Sequence, residues 1–198
     1  MNVQQSIFAH DDNLAVNLLS DFFGDRAVRV YIEHGSSLAN IVAAARDSRD
    51  PGMRTLAQAV AIAEAAAIEQ AAERDALDSP DAIRQFLQLR FAGQSYESFV
   101  VLFLDTHNRL LAAEEAFRGT LGQTAVYPRE IVRRALRHNA ASIICSHCHP
   151  SGVCEPSRAD QFLTDTLIAV LRNIDVRVLD HIIIAGGRWM SFAQNGLI

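Results

Sequence analysis

His147 and His149, two histidines separated by one residue, form the part of the sequence best suited to chemistry, and Asp160 follows eleven residues after the second. Residues i and i+2 of a β-strand project from one face of a sheet, so at a strand end both imidazoles would enter one cavity while Cys148 points away. Ser157 predicts a helix N-cap, which would place the Asp160 carboxylate in the first helical turn. Three protein ligands leave a fourth tetrahedral position open to water, which is the layout of catalytic zinc. The pattern therefore predicts a hydrolase or a protein descended from one.

Two other interpretations use the same residues without a catalytic metal. Ser157 and Asp160 form a variant of the capping box, which requires no ion. Cys145 and Cys148 have the C-x-x-C spacing of a structural zinc site, with Cys154 nearby as a further thiol. Positions three apart on a strand lie on opposite faces, however, so we expect the first two thiols to diverge.

Composition limits the class of protein. The chain has 198 residues, enough for one core or for two small domains. Residues 1–95 contain eight Arg against thirteen Asp and Glu, a net charge of −5, whereas residues 96–198 are balanced. An acidic half is a poor electrostatic footprint for a nucleic-acid binder. No apolar run reaches the ~20 residues of a membrane span, and no signal peptide is apparent, so we expect a cytoplasmic protein without a membrane partner.

The order of predicted elements indicates an α/β (α+β) protein in two parts. Residues 1–95 form a helical N-terminal region, with helices predicted at 15–23, 37–45, 54–74 and 80–89. In residues 96–198 strands alternate with helices, as in a sheet covered by helices. The predicted strands are 99–104, 110–117, 141–147, 176–184 and 189–192, and the predicted helices are 128–137 and 157–173.

The spacing H-x-H-x7-S-x2-D, at His147, His149, Ser157 and Asp160, resembles the JAMM (MPN-plus) metalloprotease motif. The surrounding sequence of residues 96–198 is similar to the RadC branch of that family. The matching segments, in order, are Phe103-Leu104-Asp105, Gly119-Thr120-Leu121, Pro128-Arg129-Glu130, Asn139-Ala140-Ala141, His149-Pro150-Ser151-Gly152, Glu155-Pro156-Ser157 and Leu179-Asp180-His181.

The resemblance implies an MPN (JAB-type) fold, a mixed sheet flanked by helices that is related to cytidine deaminases. It implies Zn²⁺ held by His147, His149 and Asp160, with Ser157 bonding the substrate carbonyl oxygen in the transition state. It also implies an upstream glutamate as general base, which here is Glu114 or its neighbour. We choose Glu114 because it precedes Gly119 by the five residues usual in RadC sequences. The expected substrate is a peptide or isopeptide of unknown identity.

The resemblance leaves three points open. Glu115 is the alternative base, on the opposite face of the same strand. RadC proteins usually begin with a helix-hairpin-helix module, of which residues 50–54 retain only a degenerate form with little positive charge. A non-catalytic accessory role in DNA repair or recombination, with the metal site retained, is therefore the alternative function, although the acidic N-terminal half disfavours DNA. His181 matches the family pattern, but the sequence predicts only a hydrogen-bonded structural residue there.

Overall fold

The computed structural model describes residues 10–73, 80–119 and 126–198. The chain divides into two compact units, with the division between Ala63 and Glu64. The boundary that the sequence predicts between residues 95 and 96 lies within the second of these units. Thr120 and Leu121 of the family pattern, and the end of the helix predicted at 54–74, lie outside the described residues.

The first unit consists of helices around their own apolar core. Helices α1 (His10–Phe23), α2 (Ala27–Glu33) and α3 (Leu38–Arg46) are followed by the start of α4 (Pro51–Glu73). Their core side chains include Leu19, Tyr31, Ile41 and Met53. The sequence analysis missed α2, because its sequence AVRVYIE is rich in residues that favour strands. Packing of Ala27, Val30 and Tyr31 into the helical core outweighs that preference.

The predicted remnant of a hairpin at residues 50–54 is the capped start of α4. Asp50 Oδ1 accepts hydrogen bonds from the backbone N–H groups of Gly52 (2.9 Å) and Met53 (3.2 Å). Asp50 also pairs with Arg26 at 2.8 Å. The backbone N–H groups of Gly52 and Met53 therefore already bond the Asp50 carboxylate. In a DNA-binding hairpin, such N–H groups bond a phosphate.

The second unit is built on one mixed sheet of five strands in the order β2-β1-β3-β4-β5. The strands are β1 (Glu97–Leu104), β2 (Leu110–Gly119), β3 (Ser142–Cys148), β4 (Arg177–Ala185) and β5 (Arg188–Ser191). Only β3 and β4 are parallel, and the helix α7 (Arg158–Arg172) connects them. A parallel pair needs such a crossover, which brings the start of α7 back to the end of β3.

Helices cover both faces of this sheet. On one face, Ile83, Phe86 and Leu87 of α5 (Pro80–Phe91) pack against apolar residues of β1, β3 and β4. On the other face, α6 (Pro128–Arg137) and α7 pack through residues such as Ile131 and Leu167. A mixed sheet flanked by helices confirms the predicted fold class. Among the described helices, none is sufficiently long and apolar to cross a membrane.

Candidate metal centre

The predicted metal ligands meet where β3 ends and α7 begins. His147 lies within β3, and His149 follows directly after it, with its backbone N–H still bonded to the carbonyl of Ile184 at 2.8 Å. This continuation of the ladder keeps the two imidazoles on one face of the sheet. Asp160 lies in the first turn of α7, whose N-cap is Ser157 as the sequence predicts. The fold thus joins ligands from two elements.

The three ligand groups are spaced as donors around one small ion. His147 Nε2 lies 2.9 Å from His149 Nε2 and 3.3 Å from Asp160 Oδ1, and His149 Nε2 lies 3.7 Å from Asp160 Oδ2. Bonds of about 2.0–2.1 Å in a tetrahedron place neighbouring donor atoms roughly 3.3 Å apart. The two separations from His147 lie at or somewhat below that value, and the ligand atoms of all three residues lie within 4.8 Å of one another, so the cluster fits a small metal ion.

Hydrogen bonds to the other atoms of His149 and Asp160 leave the right atoms for an ion. His149 Nδ1 donates to the carbonyl oxygen of Val153 at 2.7 Å, which leaves Nε2 as the nitrogen with a lone pair. Asp160 Oδ2 accepts from the N–H of Ser157 at 2.8 Å and from its hydroxyl at 2.7 Å, which leaves Oδ1 available. Metal-ligating side chains in proteins are held in this way by their outer partners.

The site is buried on its inner side and contains a charged carboxylate. His147 is fully buried, and Asp160 is 1% exposed. Burial acts to raise the pKa of the Asp160 carboxyl, but hydrogen bonds from His147 and His149 hold that pKa far below its usual range. The hydrogen bond with Asp160 raises the pKa of His149. An ionised carboxylate beside two imidazoles is a donor set that suits a divalent transition-metal ion.

Two further buried side chains, His181 and Thr164, form hydrogen bonds on the Nδ1 side of His147. His181 Nε2 lies 2.8 Å from His147 Nδ1, and His181 Nδ1 lies 2.6 Å from the Thr164 hydroxyl. Burial lowers the pKa of His181 well below its usual range, so the imidazole is neutral. The sequence analysis treated His181 as structural and missed Thr164. Thr164 follows Asp160 by four residues, and this helical spacing, which puts both on one face of α7, is the signal that could have identified it.

The two candidate bases occupy opposite faces of β2. Glu114 is paired with Val101 of β1, and Val101 is paired with Cys145 of β3. Cys145 and His147 are two residues apart on β3, so they lie on one face of the sheet, and Glu114 lies on that face as well. Glu115 is paired with Val100 on the other face, and its carboxylate bonds Arg90 of α5 at 3.1 Å. Geometry therefore favours Glu114 over Glu115 as the acid on the side of the metal ligands.

Glu114 is held by basic side chains in this structure. Its carboxylate bonds His138 Nε2 at 2.7 Å and Arg137, with Arg134 at 3.4 Å. Burial acts to raise the pKa of Glu114, but the hydrogen bond from His138 and the charge of Arg137 lower it overall. The basic residues that the sequence places near the end of α6 are thus largely engaged with this carboxylate.

The cysteines do not join the ligand cluster. Cys145 packs in the core on the α6 and α7 face, whereas Cys148 packs in the core on the α5 face. The Cys148 thiol lies 3.4 Å from the carbonyl oxygen of Tyr96, and burial raises its pKa. Within the described parts of the chain, the one cluster of potential ligands is that of His147, His149 and Asp160. The divergence predicted from strand alternation is therefore observed.

A cavity of about 310 Å³ lies beside Asp160, along the outer side of α7. Apolar side chains dominate its lining, and Phe162 projects there with 75% of its surface exposed. The other lining residues are Val126, Pro128, Ala159, Leu163 and Thr166. Of the three candidate ligands, Asp160 is the one that lines this cavity.

A mixed sheet with H-x-H at the end of a strand and an aspartate on the following helix defines a JAB-type domain. The family model described as RadC-like JAB domain matches residues 77–197, and the chain belongs to this family. The match begins before the predicted boundary at residue 96 and includes α5, which packs on the sheet.

Several curated relatives are similar over part of the chain. A UPF0758 protein of Acidovorax sp. (strain JS42) is 56% identical over 137 residues, which are 69% of this chain and 58% of the relative. One of Variovorax paradoxus (strain S110) is 55% identical over 137 residues, covering 69% and 61%. One of Herminiimonas arsenicoxydans is 60% identical over 121 residues, covering 61% and 54%. The matched region thus spans between half and two thirds of each relative.

Proposed function

We propose that this protein is a zinc-dependent metallopeptidase or isopeptidase-like hydrolase of the JAMM class that cleaves an amide bond. The observation that carries the proposal is the convergence of His147, His149 and Asp160, each of which offers one ligand atom within 4.8 Å of the others. When bound, zinc would lower the pKa of a water molecule to about 7 and polarise the substrate carbonyl. Zinc is proposed as the ion because two imidazoles, one carboxylate and an open fourth position are a ligand set of catalytic zinc sites.

Glu114 is the proposed proton acceptor. It projects from the same face of the sheet as His147, and a carboxylate there can take a proton from water and deliver it to the leaving amine. The pairing with Arg137 and His138 lowers its pKa, which makes it a weaker base and a readier donor.

Ser157 is the proposed donor to the substrate oxygen. In the structure its hydroxyl donates to Asp160 Oδ2, and its backbone N–H donates to the same atom. The hydroxyl can turn its proton toward a carbonyl oxygen while the N–H continues to hold Asp160. A positioned donor of this kind stabilises the negative charge that develops on the oxygen in the transition state.

The arginines of α6 give little support to the alternative role in DNA binding. Arg133 pairs with Glu130 at 2.8 Å, and Arg134 and Arg137 both pair with Glu114. Phosphate binding would have to displace these carboxylates, whereas a DNA-binding surface presents unneutralised cations. We therefore retain the hydrolase as the proposed function.

A hydrolysis assay with the zinc-loaded protein tests the proposal. Fluorogenic peptides and an isopeptide-linked lysine substrate should be cleaved, and a chelator should abolish cleavage until zinc is restored. The His149→Ala variant should be inactive, while the His107→Ala variant serves as the matched control, because His107 lies in the exposed turn between β1 and β2. Cleavage that persists in His149→Ala, or that a chelator does not affect, would contradict a zinc-dependent mechanism.

A further inference from the structure

The nitrogen of His147 that faces away from the ligand cluster begins a buried chain of hydrogen bonds. His147 Nδ1 contacts His181 Nε2 at 2.8 Å, His181 Nδ1 contacts the Thr164 hydroxyl at 2.6 Å, and that hydroxyl contacts the Asp160 carbonyl oxygen at 2.7 Å. His147 and His181 are fully buried, and Thr164 is 1% exposed. Because these groups are buried, each of their protons must be donated to another group of the chain.

The direction of the chain follows from its last member. A carbonyl oxygen only accepts, so the single hydroxyl proton of Thr164 is donated to Asp160. The Thr164 oxygen must then accept a hydrogen bond from His181, which places the proton of that imidazole on Nδ1. His181 Nε2 is left as an acceptor, so His147 Nδ1 carries the proton between them. The lone pair of His147 is consequently on Nε2, which faces His149 and Asp160.

The position of His181 is fixed by packing as well as by hydrogen bonds. Its ring lies between Phe99, at 5.5 Å between centroids, and Phe192, at 4.7 Å. The backbone N–H of His181 donates to Asp180 Oδ1, and Asp180 Oδ2 accepts from the Ser191 hydroxyl at 2.6 Å. The ring therefore has little freedom to rotate away from His147 and Thr164.

We propose that Thr164 and His181 are positioning residues of the metal centre, which hold the His147 proton on Nδ1 and reserve Nε2 for the ion. This inference rests on the proposed function, since it assigns a role toward the same ion. The chain of hydrogen bonds links two of the candidate ligands, because it starts at His147 on β3 and ends at Asp160 on α7. The Thr164 hydroxyl thus sets the proton position of His147, although its own hydrogen bonds are to His181 and Asp160.

Removal of the Thr164 hydroxyl should reverse the chain. In Thr164→Val the His181 Nδ1–H would be buried without an acceptor, which is unfavourable. Transfer of that proton to Nε2 gives it an acceptor at His147 Nδ1, and the proton of His147 then moves to its own Nε2. That nitrogen is the one needed by the ion, so zinc must compete with a proton placed there. Loss of such outer partners typically weakens metal binding by about 10- to 100-fold.

The test compares Thr164→Val, which keeps the side-chain shape, with Thr164→Ser, which keeps the hydroxyl. Zinc affinity is measured by competition with a chromophoric chelator, and the positions of the ring protons are read from ¹⁵N NMR of the histidines. We expect Thr164→Val to bind zinc about 10- to 100-fold more weakly, with the His147 proton on Nε2 in the metal-free protein. Thr164→Ser should match the wild type in both measurements.

A second measurement uses the wild-type protein alone, so it does not depend on whether a variant folds. Its His181 should carry its proton on Nδ1, and a proton on Nε2 would overturn the inference. Equal zinc affinity of Thr164→Val and the wild type would overturn it as well. If the wild type binds no zinc, the proposed function fails, and the His181 and His147 proton positions still test the chain.

Discussion

Ser157 and Asp160 hold each other through three hydrogen bonds across the first turn of α7. The serine N–H and hydroxyl donate to Asp160 Oδ2, and the aspartate N–H donates back to the hydroxyl at 3.2 Å. This is a complete capping box with aspartate in the third position. The two interpretations of the sequence, helix cap and metal ligand, are thus compatible, since the cap uses Oδ2 and leaves Oδ1.

Substitution of Ser157 should affect stability and metal binding together. Ser157→Ala removes the N-cap side chain, which typically costs about 1 kcal/mol of folding stability. It also removes one of the donors that orient Asp160, so zinc affinity should fall by roughly 10-fold or more. Denaturant unfolding of the metal-free protein and chelator competition measure the two effects separately. Ser157→Thr should retain both properties, whereas a Ser157→Ala variant that loses stability but keeps full zinc affinity would show that the serine serves only the helix.

Exchange of the two neighbouring glutamates should separate their roles. Glu114→Gln keeps the shape but cannot accept a proton, so the hydrolysis rate should fall roughly 10²- to 10⁴-fold with zinc content unchanged. Glu115→Gln is the matched control, because that side chain faces α5 and should leave the rate near that of the wild type. Rates on a cleaved substrate and metal analysis of each variant provide the comparison. A large loss of rate in Glu115→Gln with a normal rate in Glu114→Gln would reverse the assignment.

The stability of the metal-free and zinc-loaded proteins should respond to pH in opposite directions. In the metal-free protein the hydrogen bond with Asp160 raises the pKa of His149 above its unfolded value of about 6.5. A raised folded pKa gives stability that is complete below the unfolded pKa and is lost as the pH rises through the folded one. Zinc needs the neutral imidazole, so stabilisation by zinc grows with pH over the same window.

Thermal unfolding at about pH 6 and about pH 8, with and without zinc, measures these trends around the ordinary histidine pKa. Other histidines also titrate in this range, so the relevant quantity is the difference between the wild type and His149→Ala. Without zinc, we expect the difference in unfolding temperature between the wild type and His149→Ala to become smaller as the pH rises. With zinc, we expect it to become larger. Identical pH dependence in the two proteins would contradict a role for His149 in either state.

The sequence predicts the ligand cluster well because its geometry is largely local. Strand alternation places His147 and His149 on one face, and the N-cap at Ser157 brings Asp160 to the start of α7. The proline and glycine between them require a turn, which sends the chain back toward the sheet. Each of these features depends on neighbours within about a dozen residues, so periodicity and capping rules are sufficient.

The outer partners could not be predicted because they depend on strand pairing and register. His181 reaches His147 only because β4 pairs in parallel with β3, where Cys145 is opposite His181. A shift by one residue would have turned His181 to the other face. The face of Glu114 relative to His147 likewise depends on the bulge near Phe99, which no periodicity in the sequence reveals.

The most direct test of the account is the metal content of the purified protein. We predict one zinc ion per chain in the wild type and in His107→Ala, and loss of the ion in the double variant His147→Ala with His149→Ala. Circular dichroism of the double variant establishes that it is folded before its metal content is compared with that of the wild type. Absence of stoichiometric metal from the wild type, or unchanged metal in the double variant, would contradict the assignment of His147, His149 and Asp160 as a metal centre.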